Sequence, residues 1–285
     1  MTLPNFFIIG AMKSATTSIC DLLSRHPECF IVEPKEPEFF SDDKEYGKGV
    51  ESYESLFSEV TSQKMIGDGS TGYSKHQLFP NAATRIHSLV PEAKLIYVCR
   101  DPVKRIESHW MHSVRCGLDP NIDFASTVSE QDSHYINVSL YWHQLQVYRA
   151  LFPDTQILIL FYEDFVSEPE KVLQQCYTFL GISDSYHDST SHVPRHVSLG
   201  SRVDKPIIGR IQKLNAIRSI FSCLPRPLRN FIKRPFQHEV TSRPEWTQAA
   251  LSNVLEQIVP DSKQLLTWAG KPEDFWPLRV EEYFD

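Results

Sequence analysis

Asn5-Phe-Phe-Ile-Ile-Gly10-Ala-Met-Lys13-Ser14-Ala15-Thr16-Thr17-Ser-Ile19 is the stretch that decides the fold. Asn5 to Gly10 is a short, continuously apolar run, the pattern of a strand covered on both faces in a parallel sheet. Beyond the loop, Ile19, Leu22 and Leu23 recur at helical spacing and the stripe closes at His26-Pro27. A helix is therefore expected there, with the hydroxyls from Ser14 to Thr17 placed to cap it. Strand, lysine- and hydroxyl-bearing loop, then helix is an arrangement that binds phosphate, because backbone N–H groups and the positive helix end face an anion. The loop is not G-x-x-x-x-G-K-[ST]: Lys13 follows Gly10 by three residues, and Ala15 stands where a glycine is often found. On spacing alone, an ordinary strand-to-helix turn competes with the phosphate loop.

Working outward, further strands are expected at Cys29–Val32, Lys64–Gly67, Lys94–Cys99 and Gln156–Phe161. Helices are expected between them at Phe79–Leu89, Val103–Val114, Ser139–Phe152 and Pro169–Leu180. That alternation predicts an α/β fold with a parallel sheet. After Gly181 no strand is expected. Ile207, Ile208, Ile211, Leu214, Ile217, Ile220, Phe221 and Leu224 keep helical spacing, with Arg210, Lys213 and Arg218 between them. This basic amphipathic helix has three readings: it packs on its own domain, lies on a membrane, or covers an anionic ligand. Two more helices, Pro244–Ile258 and Asp261–Ala269, finish the chain. No linker stands out, so residues 1–285 read as a single domain, with 193–234 a candidate basic helical lid over a bound nucleotide.

The composition fits an enzyme-like globular chain: 285 residues, 41% hydrophobic and 23% charged, which excludes disorder, collagen and coiled coil. No apolar run approaches the ~20 residues of a membrane span, so no span is expected. The net charge of −7 disfavours unspecific nucleic-acid binding. The charge is uneven, however, since Arg195 to Arg234 holds ten Lys or Arg and one acid, Asp204. Six cysteines at irregular spacing, without a C-x-x-C pair, point to free thiols rather than a zinc site or disulfide framework, and the chain reads as cytoplasmic.

The second informative element is Lys94-Leu-Ile-Tyr-Val-Cys-Arg100-Asp101-Pro102, a strand ending in a charged pair, then a helix with Arg105, Ser108, His109 and His112. Arg100 at the strand's carboxyl end and Ser108 two turns later can converge on one phosphate, because ligands of open α/β sheets bind outside those ends. A structural salt bridge is the competing reading for Arg100. With these two elements the chain resembles the sulfotransferases that use 3′-phosphoadenosine 5′-phosphosulfate (PAPS). The resemblance continues through Lys35-Glu36-Pro37-Glu38-Phe39-Phe40, Gly67-Asp68-Gly69-Ser70-Thr71-Gly72-Tyr73, Ser139-Leu-Tyr141 and Phe161-Tyr162-Glu163-Asp164-Phe165.

The resemblance implies a three-layer, P-loop-like fold with a central parallel sheet flanked by helices. It implies that Lys13, Ser14, Ala15, Thr16 and Thr17 hold the 5′-phosphosulfate and that Arg100 and Ser108 hold the 3′-phosphate, joined by Ser201 and Arg202 from the later loop. Lys13 would answer charge on the leaving phosphate, and Glu36 would be the base, with Asp68, His76 and His109 as competitors. Glu38 is expected either to be solvated or to bind the acceptor. Gly69 departs from the pattern, standing where several glycan-modifying relatives place a second lysine. The implied reaction moves a sulfuryl group to a hydroxyl or amine of a small molecule or glycan and releases adenosine 3′,5′-bisphosphate (PAP), with no metal. Two alternatives remain: an ATP-dependent small-molecule kinase with Asp101 at a magnesium ion, and a nucleotide-binding module without catalysis. The oligomeric state is not legible.

Overall fold

In the computed structural model, the described residues are 2–118, 123–130, 133–184, 186, 202–204, 237–239 and 244–284. Five strands form one parallel sheet: β1 (Phe6–Gly10), β2 (Cys29–Ile31), β3 (Met65–Asp68), β4 (Lys94–Cys99) and β5 (Ile157–Phe161), in the order β2-β3-β1-β4-β5. Phe6 pairs with Gly67 on one side and Lys94 on the other, which sets β1 at the centre. Its burial explains the uninterrupted apolar run, since Phe6, Phe7, Ile8 and Ile9 are all fully buried.

Alternate residues divide between two cores, as the period of two requires. Phe6 and Ile8 join Ile96 and Val98 under α1 (Thr16–Ser24) and α10 (Pro169–Leu180), through Ile19, Leu22, Leu23, Val172 and Cys176. Phe7 and Ile9 face the other way, onto Phe40, Tyr53, Tyr73, Tyr97, Tyr141, Tyr148 and Trp276. Each large apolar side chain so buried contributes roughly 1.5–3 kcal/mol. A third cluster packs α5 (Pro102–Arg115) against α11 (Gln248–Trp268), through Val103, Ile106, Leu251, Val254, Leu255 and Ile258. The remaining helices are α2 (Asp43–Tyr46), α3 (Val50–Glu54), α4 (Ala82–Leu89), α6 (Phe124–Val128), α7 (His134–Asn137), α8 (Tyr141–Arg149) and α9 (Tyr162–Ser167). The expected α/β fold, with helices on both faces of a parallel sheet, is the observed one.

Three expectations are corrected. The two C-terminal helices are one, running through Pro260. Pro260 forfeits a backbone hydrogen bond, but the buried face continues past it: Leu251, Val254, Leu255 and Ile258 pack in the cluster with α5, and Leu265 and Leu266 in the core under Phe7 and Ile9. Strands do not stop at Gly181: β6 (Arg202–Asp204) pairs antiparallel with β7 (Gln237–Glu239). Both are three residues long, Arg-Val-Asp and Gln-His-Glu, too short for an apolar alternation to read. The hydroxyls from Ser14 to Thr17 do not cap α1, whose N-cap is Ala15 at φ 69° with no side-chain cap bond. The proposed lid, 193–234, and the basic helix within it, 207–224, lie outside the described residues except for the strand at 202–204. Cys20, Cys29, Cys99, Cys116 and Cys176 are free thiols, and Cys223 is outside the described residues. Among the described residues, no helix is long and apolar enough to cross a membrane.

Candidate active site

The sheet order reverses between β1 and β4, so their carboxyl ends open a crevice. Into it run the loop after Gly10 and the Arg100-Asp101 pair. Lys13 at φ 74° and Ala15 at φ 69° are both left-handed. Such turns point successive N–H groups to one side, and the first N–H groups of α1 have no partner inside the helix. Ser14 is fully buried and its Oγ lacks a hydrogen-bond partner. A cradle of donors with an unanswered buried hydroxyl fits an anion.

Arg100 crosses to this loop, its Nη1 donating to the Lys13 carbonyl at 3.2 Å. Its guanidinium lies 4.4 Å over the Tyr162 ring, its backbone N–H donates to the Tyr141 hydroxyl at 3.4 Å, and its Nε is buried without a partner. Among the described residues Arg100 and Lys13 form no ion pair, so the salt-bridge reading of Arg100 does not hold. Burial, with Arg115 and Arg100 nearby, lowers the Lys13 pKa below its ordinary value. Mutual repulsion of unpaired cations around a donor-lined loop is relieved by an anionic ligand. Ser108 is buried on α5, the helix that starts at this crevice. Of the later pair, Arg202 stands in β6, whose backbone runs beside α5, and Ser201 lies outside the described residues.

Asp101 is buried and caps α5, its Oδ1 accepting from Val103 N at 2.9 Å and Lys104 N at 3.1 Å. It is committed to the helix, which removes the acid that the kinase alternative needs. Among the described residues no group of three or more His, Cys, Asp or Glu could hold a metal ion.

Glu36 sits across from the loop on a segment with φ 63° at Glu36 and 53° at Glu38. Left-handed backbone at non-glycine residues costs ~1–2 kcal/mol each, and an evident network holds it. Glu38 N donates to Ser70 Oγ at 3.1 Å, and Ser70 Oγ donates to Asp68 Oδ1 at 2.7 Å. The Glu38 carboxylate accepts from Gly72 N at 3.1 Å and from Ser41 Oγ. Glu38 is thus neither solvated nor free for an acceptor; burial raises its pKa. A Cβ at Gly72 would collide with that carboxylate, which is why glycine stands there. The Glu36 carboxylate itself is exposed and receives Thr71 Oγ1 at 3.2 Å and Lys35 Nζ at 3.1 Å.

The competing bases are placed elsewhere. Asp68 is fully buried and accepts from Tyr53 and Tyr73 hydroxyls at 2.6 Å each, besides Ser70. It organises the turn that supports Glu36. His109 is buried, its ring against His134 and Tyr135 and its Nδ1 3.4 Å from Arg105 Nη1. His76 donates its backbone N–H to Gln144 Oε1 at 2.8 Å, and its ring lies beside that of His143.

Sequence reasoning missed four contributors. Lys35 reads in the sequence only as a neighbour that would help hold the Glu36 loop, yet its Nζ reaches Thr16 Oγ1 at 3.3 Å and Thr17 Oγ1 at 3.1 Å. Tyr141 and Tyr162 orient Arg100; both lie in segments that carry the family resemblance, but nothing in the sequence ties them to Arg100. Arg105 is fully buried and donates to Ser139 Oγ at 2.8 Å and the Tyr135 carbonyl at 2.7 Å. No local pattern distinguishes such an arginine from a solvated one.

A family model described as the sulfotransferase domain matches residues 3–202. The chain is 37% identical over 118 residues to the membrane-associated sulfotransferase kil1 of Dictyostelium discoideum, covering 40% of this chain and 24% of that protein. It is 30% identical over 210 residues to bifunctional heparan sulfate N-deacetylase/N-sulfotransferase 4 of Mus musculus, covering 66% of this chain and 23% of that protein. The chain thus spans about a quarter of the length of these relatives. Its fold is similar to a sulfotransferase structure from Alicyclobacillus acidocaldarius, with a TM-score of 0.68 at 22% identity over 95% of this chain and 98% of that one. The family match takes in both the Lys13 loop and Arg100 with Ser108, and the chain belongs to the sulfotransferase family.

Proposed function

We propose that this chain, as one domain over residues 1–285, moves a sulfuryl group from PAPS to a hydroxyl or amine of a small-molecule or glycan acceptor. The observation that carries the reading is the junction of the two anion-binding elements: Arg100 donates to the Lys13 carbonyl, while Ser14 Oγ and Arg100 Nε lie buried without partners. In this reading the loop from Lys13 to Thr17 holds the 5′-phosphosulfate, and Arg100 and Ser108 hold the 3′-phosphate, with Ser201 and Arg202 completing that end.

In the transfer, the acceptor heteroatom forms a bond to sulfur as the bond from sulfur to the bridging phosphate oxygen breaks. The electron pair stays on that oxygen, and PAP departs. Lys13 stabilises the charge that grows there. Glu36 takes the acceptor's proton; its exposure leaves room for an acceptor, and the Asp68-Ser70-Glu38 network fixes its place. The five free cysteines described suit a reducing compartment, and we place the protein in the cytoplasm.

The test is mass spectrometry of a small-molecule and glycan extract incubated with protein and PAPS. New species heavier by the mass of a sulfuryl group, with matching PAP release, support the reading. Phosphorylated products formed with ATP in place of PAPS would refute it.

A further inference from the structure

We propose that Lys35 is a second catalytic cation of the transfer site, bound to the sulfuryl oxygens from the acceptor side and filling the place of the lysine that position 69 lacks. The inference rests on the PAPS-dependent reading above. Three contacts of one ammonium support it: Lys35 Nζ lies 3.3 Å from Thr16 Oγ1, 3.1 Å from Thr17 Oγ1 and 3.1 Å from Glu36 Oε1. Both threonines open α1, where the donor cradle faces an anion, and Glu36 is the assigned base. Lys35 therefore touches both the anion-binding loop and the acceptor side of the reaction. An ammonium has three protons to donate and no geometric preference among oxygens, so it can pass from hydroxyls and carboxylate to the oxygens of a sulfuryl group.

Gly69 gives the second, independent observation. A Cβ there would lie 2.6 Å from Cys20 Sγ and 3.5 Å from Lys35 Cε. Cys20 is buried on α1, so a side chain from position 69 is shut out. The Lys35 stem borders the space such a side chain would enter, its Cε in van der Waals contact with that Cβ. The departure from the family pattern is then a relocation, with the cation supplied by the residue before the base rather than by the turn after β3. Adjacency has a chemical consequence: in the transfer Lys35 is drawn to sulfuryl oxygens, which frees Glu36 of its ion pair as it accepts the proton.

The experiment is calorimetric titration of PAPS and of PAP into the full chain and into Lys35→Ala, Lys35→Gln and Lys35→Arg. PAP lacks the sulfuryl group and so isolates the Lys35 contact. Loss of the charged contact is expected to weaken PAPS about tenfold in Lys35→Ala and Lys35→Gln. PAP should stay within about twofold of the parent, and Lys35→Arg should retain most PAPS affinity. Equal weakening of PAPS and PAP, or no change in either, would overturn the assignment while leaving the PAPS reading intact. A parent chain that binds neither nucleotide would remove the PAPS reading and this inference together. The circular dichroism spectrum and melting temperature of each variant, matched to the parent, exclude misfolding as the cause.

Discussion

Asp261→Asn should change how stability depends on pH. Asp261 is buried beneath the start of α8, where its Oδ1 accepts from Trp142 N at 3.0 Å and its Oδ2 from His143 N at 2.8 Å. Burial lifts its pKa to about 6 from 3.8, and the two backbone donors only partly offset this. With a raised folded-state pKa, the native state binds the proton more tightly than the unfolded chain. The stabilisation is therefore full below the unfolded value and is lost as pH rises through about 6. A shift of this size corresponds to about 3 kcal/mol. Asparagine keeps one acceptor for the helix end but cannot titrate. Urea unfolding of both proteins from pH 4 to pH 7.5 cancels the other buried carboxylates, Asp68, Asp101 and Glu38. The variant should gain about 2.4 kcal/mol relative to the parent across that range, most of it between pH 4 and 6. A difference independent of pH would refute the burial argument and leave Asp261 as a solvated cap.

Lys13→Ala should chiefly lower kcat, by about a hundredfold or more, because its partner charge appears during transfer. Arg100→Ala should instead weaken nucleotide binding, and steady-state kinetics beside calorimetry separates them; equal effects on Kd with kcat untouched would sink the division. Glu36→Gln should hold PAP affinity while kcat falls by ~10²–10⁴ in the acceptor assay, and turnover within a few-fold of the parent would move the base elsewhere. Asp68→Asn should lower unfolding free energy by about 2–3 kcal/mol, since an amide must face three hydroxyl donors; a change below about 0.5 kcal/mol, the range of ordinary surface substitutions, would contradict the network drawn around it.

The central sheet was legible because its strands are buried on both faces, so apolar runs such as Lys94–Cys99 mark them without help from tertiary context. Lys13 and Arg100 stood out in the sequence because each follows a strand end, and the structure brings them together, Arg100 Nη1 donating to the Lys13 carbonyl. The loop around Glu36 was not legible. Its left-handed residues are held by Ser70 and Gly72, more than thirty positions away, and by the Asp68 carboxylate beneath them. The contacts of Lys35 with Thr16 and Thr17 escaped notice for the same reason: the partners are eighteen and nineteen residues back in sequence. The single C-terminal helix was misread at Pro260, where a local rule against proline yielded to a continuous buried face.

In the proposed reading, the crevice between β1 and β4 holds a nucleotide carrying a 3′-phosphate. Titration of PAP and of adenosine 5′-monophosphate into the full chain and into Arg100→Ala tests it directly. PAP should bind at least about tenfold more tightly than the monophosphate, the worth of one charge-assisted phosphate contact, and Arg100→Ala should remove most of that difference. Equal affinity for the two nucleotides in the parent, or tighter binding of ATP with magnesium than of PAP, would contradict it.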